Sequence, residues 1–484
     1  MADAAGPRRS ERIVTGIVVA LCAAAAAVIV VTTLRALDRW YLPVPVADTW
    51  EGSFGFTREA AGDFLGALWR PHNEHRIVLS KLLFWFNNTH LGGSNAFLIA
   101  VNVALTAAVA AATAWLTAAM VAGHRAAQWI FAAASMGAGF AWVHQQNLVW
   151  EFQSQFYFAV LFSLLAMTLA GRAHVRGDSS GRYLAAVACA LLAMVSMGAG
   201  VPTVAALGLV LLVLPAPRRV IVAAGVVLVV GLGLFLPGLG VAPANPDAQQ
   251  LLPSGEVPAP VALLTFLGSP AYWATESLGW AQVGGALFLA VTAAVVARTA
   301  RQVWRRQERA PMTMAGLGFV LVVLANGISA ALLRADNGAL VLVGSRYQIL
   351  VLIGWLVLMA VAVASTMEVL GPVRSTVATG LAAGAAAAVL LLVVPTQLAS
   401  GANPADPDQS TLANPARRTA AALGVELGVP DRDLQVPTLY YRPGAWPALS
   451  EYVREQQWAI FGDRFRELRQ TLGGSQEDLR HVPC

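Results

Sequence analysis

The sequence predicts an all-α polytopic membrane protein with about eleven transmembrane helices. Hydrophobic residues make up 57% of the 484 residues and charged residues only 12%, and the mean hydropathy is +0.62. Soluble globular proteins have about 25% charged residues, so this chain has too little polar surface for a soluble fold. Long apolar runs recur along the chain, and most arginines stand at their ends.

Each apolar run of roughly 20 residues is counted as one candidate crossing, and some shorter runs are included. The approximate limits are 13–35, 95–120, 127–143, 156–171, 183–196, 200–215, 219–237, 279–298, 312–333, 347–366 and 375–396. The first run is longer than the apolar region of a signal peptide, about 7 to 15 residues, so we expect it to remain as an anchor. The short pairs 127–143 with 156–171 and 183–196 with 200–215 are expected to be tilted, or to end in a cavity below the surface. The connection over 238–280 is expected to be an outer loop with a short interfacial helix around 260–278, with Tyr272 and Trp273 as interface anchors.

The arginines predict the orientation. Connections on one side carry Arg8, Arg9, Arg12, Arg125, Arg172, Arg176, Arg182, Arg218, Arg219, Arg298, Arg301, Arg305, Arg306, Arg309 and Arg374. By the positive-inside rule these connections are cytoplasmic. We therefore expect the N-terminus in the cytoplasm and, with an odd span count, the C-terminus outside a bacterial-type plasma membrane. The formal charge of +5 comes from arginines beside spans rather than a continuous basic stripe, so no nucleic-acid partner is expected.

The most polar part of the transmembrane domain, predicted over 1–396, is its first external loop, residues 38–93. This loop contains Lys81, the only lysine of the chain. A handful of residues can join adjacent spans, so a loop of this length indicates a functional role. After 396 the composition changes to Pro-rich and then mixed-charge sequence, which predicts an external C-terminal tail or small domain over 397–484, with amphipathic helix within 446–472.

Two acids in the first loop are the candidate catalytic residues. Asp48 and Glu51 flank Trp50 shortly after the first span. A carboxylate at the mouth of the bundle can deprotonate an acceptor hydroxyl. The alternative is an ordinary pair of solvated loop acids.

A second cluster, of candidate substrate-binding residues, follows an apolar-faced segment at 58–69 that is expected to lie along the membrane surface. It consists of His72, Glu74, His75 and Arg76. We expect this cluster to hold a charged headgroup, with Arg76 as its fixed positive charge. The alternative is a divalent metal, but His-Asn-Glu-His lacks the His-Glu-x-x-His spacing of a zinc site. No metal ligand is therefore assigned, and no other cofactor is expected.

Four further candidate substrate-binding residues lie in later connections: Glu151, Gln155, Arg346 and Tyr347. Glu151 and Gln155 belong to a polar and aromatic stretch at membrane depth, where polar groups must pair or meet water. They are expected to hydrogen-bond a sugar, or else to pack against neighbouring spans. Arg346, at the mouth of a span beside Tyr347, could clamp phosphate, or it could extend to the membrane interface.

These features together resemble the polyprenyl-phosphate-sugar-dependent membrane glycosyltransferases of the GT-C fold, the superfamily of mannosyl- and arabinosyltransferase-like enzymes. The likeness rests on an acid after the first span, a surface helix, a histidine motif before the second span, about eleven spans and an external C-terminal domain. It covers residues 1–120 and is looser beyond them. It implies that Asp48 is the catalytic base and Glu51 a second acid. Many relatives have His or Lys beside prolines where this chain has His72 to Arg76, which leaves the donor open.

The resemblance implies transfer of a hexosyl or pentosyl group from a polyprenyl-phosphate donor to a cell-envelope glycan, lipid or protein acceptor on the external face. The lipid phosphate would leave, usually with inversion at the anomeric carbon. A transporter or flippase for a lipid-linked or envelope precursor is the main alternative, but it would be expected to show paired halves with interrupted spans. A polysaccharide polymerase or ligase and a non-enzymatic scaffold also remain open.

Overall fold

The structure, a computed structural model, describes residues 9–177, 180–214, 216–235, 257–305, 310–370, 375–399, 415–428, 439 and 446–471. These residues form helices and turns, with no named strand among them. Among the described residues, eight helical segments are long and apolar enough to cross a membrane: Arg9–Trp40, Asn95–Met120, Arg125–Val149, Glu151–Val175, Arg218–Phe235, Leu278–Gln302, Pro311–Leu333 and Ser345–Leu370. The segments Arg125–Val149 and Glu151–Val175 each include a short 3₁₀ turn. The prediction of an all-α polytopic membrane protein is therefore confirmed.

Three shorter apolar helices, Gly181–Ser196, Gly198–Val213 and Thr376–Leu391, lie at the remaining predicted spans. Each is shorter than the roughly 20 residues of a full crossing, so the count of eleven stays a prediction. Two of them, Gly181–Ser196 and Gly198–Val213, match a pair of sequence runs that were expected to be tilted or shortened.

We number the α-helices in chain order. The first half contains α1 Arg9–Trp40, α2 Phe56–Ala60, α3 Phe64–Trp69, α4 Val78–Leu91, α5 Asn95–Met120, α6 Arg125–Gly139, α7 Gln145–Val149, α8 Ser154–Val175, α9 Gly181–Ser196, α10 Val201–Val213 and α11 Arg218–Phe235. The second half contains α12 Ala259–Leu267, α13 Ser269–Thr275, α14 Leu278–Trp304, α15 Pro311–Leu333, α16 Ala339–Leu342, α17 Ser345–Leu370, α18 Ser375–Leu391, α19 Val394–Ala399, α20 Pro415–Glu426, α21 Trp446–Glu455 and α22 Asp463–Thr471.

Helix α17 lies at the centre of the bundle. In its most apolar stretch 83% of the residues are buried, and it packs against α15, α18 and α6. Helix α1 lies at the edge, with 11% of its apolar stretch buried and with Ile13, Ile17 and Leu21 more than half exposed. Outward-facing apolar side chains suit a helix in contact with lipid.

The first external loop is largely helical. Its apolar-faced segment forms two short helices, α2 and α3, because the chain turns at Gly62 and Asp63. The Asp63 side chain caps α3 by accepting a hydrogen bond of 2.9 Å from the Gly66 amide. Helix α4 was not predicted from the sequence, which assigned Val78 to Leu91 to the loop.

The C-terminal segment (α20, Leu439, α21 and α22) packs directly on the first loop. The two share one hydrophobic core, which includes Val44, Val46, Trp50, Phe54 and Phe56 of the loop and Ala421, Ala422, Leu449, Val453, Ile460 and Phe461 of the C-terminal segment. Both therefore lie at the same end of the bundle. The predicted amphipathic stretch consists of α21 and α22 separated by a 3₁₀ turn at Ala459–Phe461.

The connection before α14 differs from the interfacial helix that the sequence predicts there. It forms α12 and α13, whose Trp273 was expected to anchor at the membrane interface. Instead, Trp273 is 8% exposed, and its indole N–H donates to the Val343 carbonyl at 2.7 Å. The expectation for Trp273 was wrong, because a partner distant in sequence satisfies its polar atom inside the protein.

Candidate active site

The candidate site lies where the first loop covers the end of the bundle. Its first part is the π-helical segment Thr49–Gly55, which begins directly after Asp48. Such π-helical segments are rare in proteins, and those that occur are frequently found at functional sites. A Cβ atom at Gly52 would lie 2.6 Å from the ring of Phe152, so only glycine lets this segment approach the bundle so closely.

Asp48 and His72 meet at this position. The Asp48 Oδ2 atom lies 3.8 Å from Nε2 of His72, and their side chains are 22% and 10% exposed. The His72 ring also packs on Phe152, with ring centroids 5.1 Å apart. The acid nearest the first span and the first histidine of the motif, predicted as separate parts of the site, are therefore neighbours. Glu51 lies one turn further along the π-helical segment and is half-buried.

A tight turn sets the positions of His72 and His75. The His72 amide donates to the His75 carbonyl at 2.8 Å, and the His75 amide donates back at 3.0 Å. Asn73 adopts a left-handed conformation with φ of 49°, which asparagine tolerates better than most residues. The turn directs the His75 ring toward the end of α9, where a Cβ atom at Gly198 would lie 2.8 Å from Nδ1 of His75.

The surroundings of His75 keep its ring neutral. Burial, together with the nearby charges of His72 and Arg346, lowers the pKa of His75 to about 4, although the charge of Asp48 opposes this shift. Within this turn, Glu74 forms an ion pair with Arg334. The Oε1 atom of Glu74 lies 3.7 Å from Nε2 of His75. Arg334 from the second half of the chain thus contacts the histidine turn, and the charge of Arg346 acts on His75.

Contacts with the buried polar turn after α6 hold the backbone of Arg346. Its amide donates to Oε1 of Gln146 at 3.2 Å, and its carbonyl accepts from Nδ2 of Asn147 at 2.9 Å. The guanidinium lies over the ring of Tyr347, 5.2 Å from its centroid. Tyr347 itself packs on Phe266 and so supports the arginine.

Glu151 joins the site through Thr49. The Thr49 hydroxyl donates to Oε1 of Glu151 at 2.9 Å and accepts from the Trp150 indole N–H at 3.1 Å. Glu151 is 1% exposed. The sequence predicted that Glu151 would lie at depth, but it gave no signal for Thr49, because a single threonine among loop residues has no distinguishing pattern.

Several buried side-chain oxygen atoms lie in or near the segment from Gln145 to Gln155. Those with no hydrogen-bond donor in the part of the chain that the structure describes are Asn102 Oδ1, Gln145 Oε1, Asn147 Oδ1, Glu151 Oε2, Gln153 Oε1 and Gln155 Oε1. Buried acceptors normally have partners. A molecule rich in hydroxyl groups would supply the missing donors, which is the role that the sequence assigned to Glu151 and Gln155.

Arg76 and Lys81 point into the loop itself. The Arg76 guanidinium donates to the Trp69 carbonyl and lies 4.6 Å from the Trp69 ring centroid. Lys81 donates to the carbonyls of Ala67 and Arg70 at 2.7 and 2.6 Å, and burial lowers its pKa to about 8. Both cations therefore fix the end of α3, and the headgroup role of Arg76 stays a prediction.

No group of three or more His, Cys, Asp or Glu side chains suited to a metal ion occurs among the described residues. Comparison with known proteins gives no match to a family model, to a curated protein or to a solved structure. Function can therefore be inferred only from the geometry of the site.

Proposed function

We propose that this protein is a membrane glycosyltransferase that moves a sugar from a polyprenyl-phosphate donor to a cell-envelope glycan, lipid or protein acceptor. The observation that carries the proposal is the meeting of Asp48 with His72, in one tight turn with His75, at one end of a membrane bundle. An acid next to cations suits a reaction that removes a proton from an acceptor and releases an anion. We further propose a GT-C-like architecture with this end outside the cell.

In the proposed reaction the Asp48 carboxylate takes the proton of an acceptor hydroxyl. The hydroxyl oxygen attacks the anomeric carbon and forms the new glycosidic bond. The bond between that carbon and the lipid phosphate breaks, and the phosphate oxygen keeps the electron pair. Attack opposite the leaving group inverts the anomeric centre.

The other residues of the site bind the donor. The Arg346 guanidinium can take the phosphate through two parallel N–H bonds. Neutral His75 can donate one further hydrogen bond, since its pKa of about 4 leaves it uncharged at neutral pH. The unpartnered oxygens of Glu151 and Gln155 accept from the sugar hydroxyls.

A transporter or flippase for a lipid-linked precursor is the second candidate. The same buried oxygen atoms favour it, because polar groups at membrane depth also mark transport paths. The two functions differ in chemistry, since a flippase moves the lipid without breaking its glycosyl bond.

The test uses the purified full-length protein in lipid nanodiscs with radiolabelled polyprenyl-phosphate mannose or arabinose and an isolated envelope fraction as acceptor. We expect label in envelope material, with equimolar release of polyprenyl phosphate. In proteoliposomes a fluorescent polyprenyl-phosphate sugar should stay in its leaflet. Movement of that probe without glycosyl-bond cleavage would replace the transferase proposal with the transporter.

A further inference from the structure

The backbone just before Asp48 is held by the C-terminal segment. The Arg418 guanidinium of α20 donates to the Val44 carbonyl at 2.9 Å. The Ala47 amide donates to the Leu439 carbonyl at 2.6 Å. Ala47 has a φ of 49°, a left-handed conformation that alanine rarely adopts and that persists only where surrounding contacts impose it.

The backbone just after Asp48 is held by the bundle and by the C-terminal segment. Thr49 bonds to Glu151 and Trp150, as described above. The next residue, Trp50, is fully buried and packs edge-on against Trp446 of α21, with ring centroids 4.7 Å apart. The backbone on either side of Asp48 is therefore fixed at two anchors: one in the bundle, formed by Glu151 and Trp150, and one in the C-terminal segment, formed by Arg418, Leu439 and Trp446.

Arg418 is the buried cation of the C-terminal anchor. Its side chain is buried, with 3% of the residue exposed. Burial lowers its pKa to about 10, and attraction to the charge of Glu151 opposes that shift. A buried cation is costly unless opposite charge or hydrogen bonds compensate it, and Glu151, which accepts from Thr49, is the bundle residue whose charge acts on Arg418.

We propose that Arg418 is a positioning residue for the candidate active site: by bonding to the Val44 carbonyl from the C-terminal segment, it fixes the loop that presents Asp48. The C-terminal segment then belongs to the catalytic assembly and is more than an appended tail. Its effect on catalysis rests on the proposed function. Its effect on the position of the loop does not.

The first experiment measures the loop directly, by amide hydrogen exchange over residues 44–51 in nanodiscs. Arg418→Met removes the charge and the N–H that donates to Val44, so we expect exchange there to rise by roughly tenfold or more. Arg418→Lys keeps the charge and should restore part of the protection. In Arg418→Met/Glu151→Gln no buried charge is left alone, so this variant should exchange more slowly than Arg418→Met.

Arg454→Met is the matched control. The Arg454 guanidinium donates to the Val425 carbonyl at 3.1 Å and lies over the ring of Phe461, so both contacts stay within the C-terminal segment. We expect its exchange over 44–51 to equal that of the wild type. Wild-type exchange in Arg418→Met, or an equal rise in Arg454→Met, would overturn the proposal.

The second experiment measures transfer. Arg418→Met should lower kcat with little change in KM for the polyprenyl-phosphate sugar, because the donor contacts described above come from other residues. Arg418→Lys should recover part of kcat. If Arg418→Met fails to insert, the double variant and Arg418→Lys decide the question by exchange alone. If the wild type transfers no sugar, the proposed function fails, while the exchange result still decides the positioning role.

Discussion

The carboxylate of Asp48 lies 3.8 Å from Nε2 of His72, slightly beyond hydrogen-bond distance. A small movement of the loop, or a hydroxyl group between the two, would connect them. Catalytic hydrogen bonds are often long without substrate and tighten when it binds. In the proposed reaction an acceptor hydroxyl contacts the acid while the imidazole orients it.

Asp48→Asn is the most direct test of this arrangement. The amide keeps shape and polarity but cannot take a proton, so transfer should fall by roughly 10²–10⁴-fold while insertion and donor binding persist. The measurements are initial rates and binding of the radiolabelled polyprenyl-phosphate sugar. Asp63→Asn is the control, because it makes the same change in the same loop at a helix cap, where asparagine is also favoured.

Glu51→Gln distinguishes the two candidate acids. If Glu51 only orients the loop or the substrate, this variant should lose less activity than Asp48→Asn. The opposite order would move the base to Glu51. Full activity in both variants would be incompatible with the proposed mechanism.

The position of the His75 ring depends on the absence of a side chain at Gly198. In Gly198→Ala the new Cβ would lie 2.8 Å from Nδ1 of His75, so the ring must move, and transfer should fall by up to about 10²-fold. Gly208→Ala, in the neighbouring helix α10, adds the same methyl group where no atom lies within 4 Å. That control should keep wild-type activity. Equal activity in the two variants would argue against a role for His75.

Acid should destabilise the protein through His75. Its folded pKa is about 4 against an ordinary 6.5, so the unfolded chain takes up this proton more readily. Stability should therefore be fully present above pH 6.5 and be lost as the pH falls toward 4, by at most about 3 kcal/mol. Thermal unfolding of His75→Gln should depend less on pH in this window. His90→Gln, which removes an exposed histidine of the same loop, controls for the loss of one imidazole, and an equal change in both variants would contradict the assignment.

Local patterns predicted the helical membrane class, the polar first loop and most residues of the site, because apolar runs and clustered charges are visible along the chain. The contacts that assemble the site join distant segments. Arg334 reaches Glu74, Arg418 reaches Val44, and neither pairing has a sequence signal. The same limitation explains why the expectation for Trp273 was wrong, because its hydrogen-bond partner Val343 lies in another connection. Helix α4 was missed because its 14 residues are too few for a span and were assigned to the loop.

The last prediction concerns the side of the membrane. Because the first loop and the C-terminal segment share one hydrophobic core, both must face the same compartment, and the arginine distribution predicts that it is the outside. In a variant without its native cysteines, Arg70→Cys and Asp463→Cys place thiols at side chains that are 59% and 90% exposed. A membrane-impermeant maleimide should label both in intact cells. Arg305→Cys, beyond the end of α14, should react only after permeabilisation. Labelling of Arg305→Cys alone in intact cells would reverse the topology, and labelling of only one of the other two would be incompatible with the shared core.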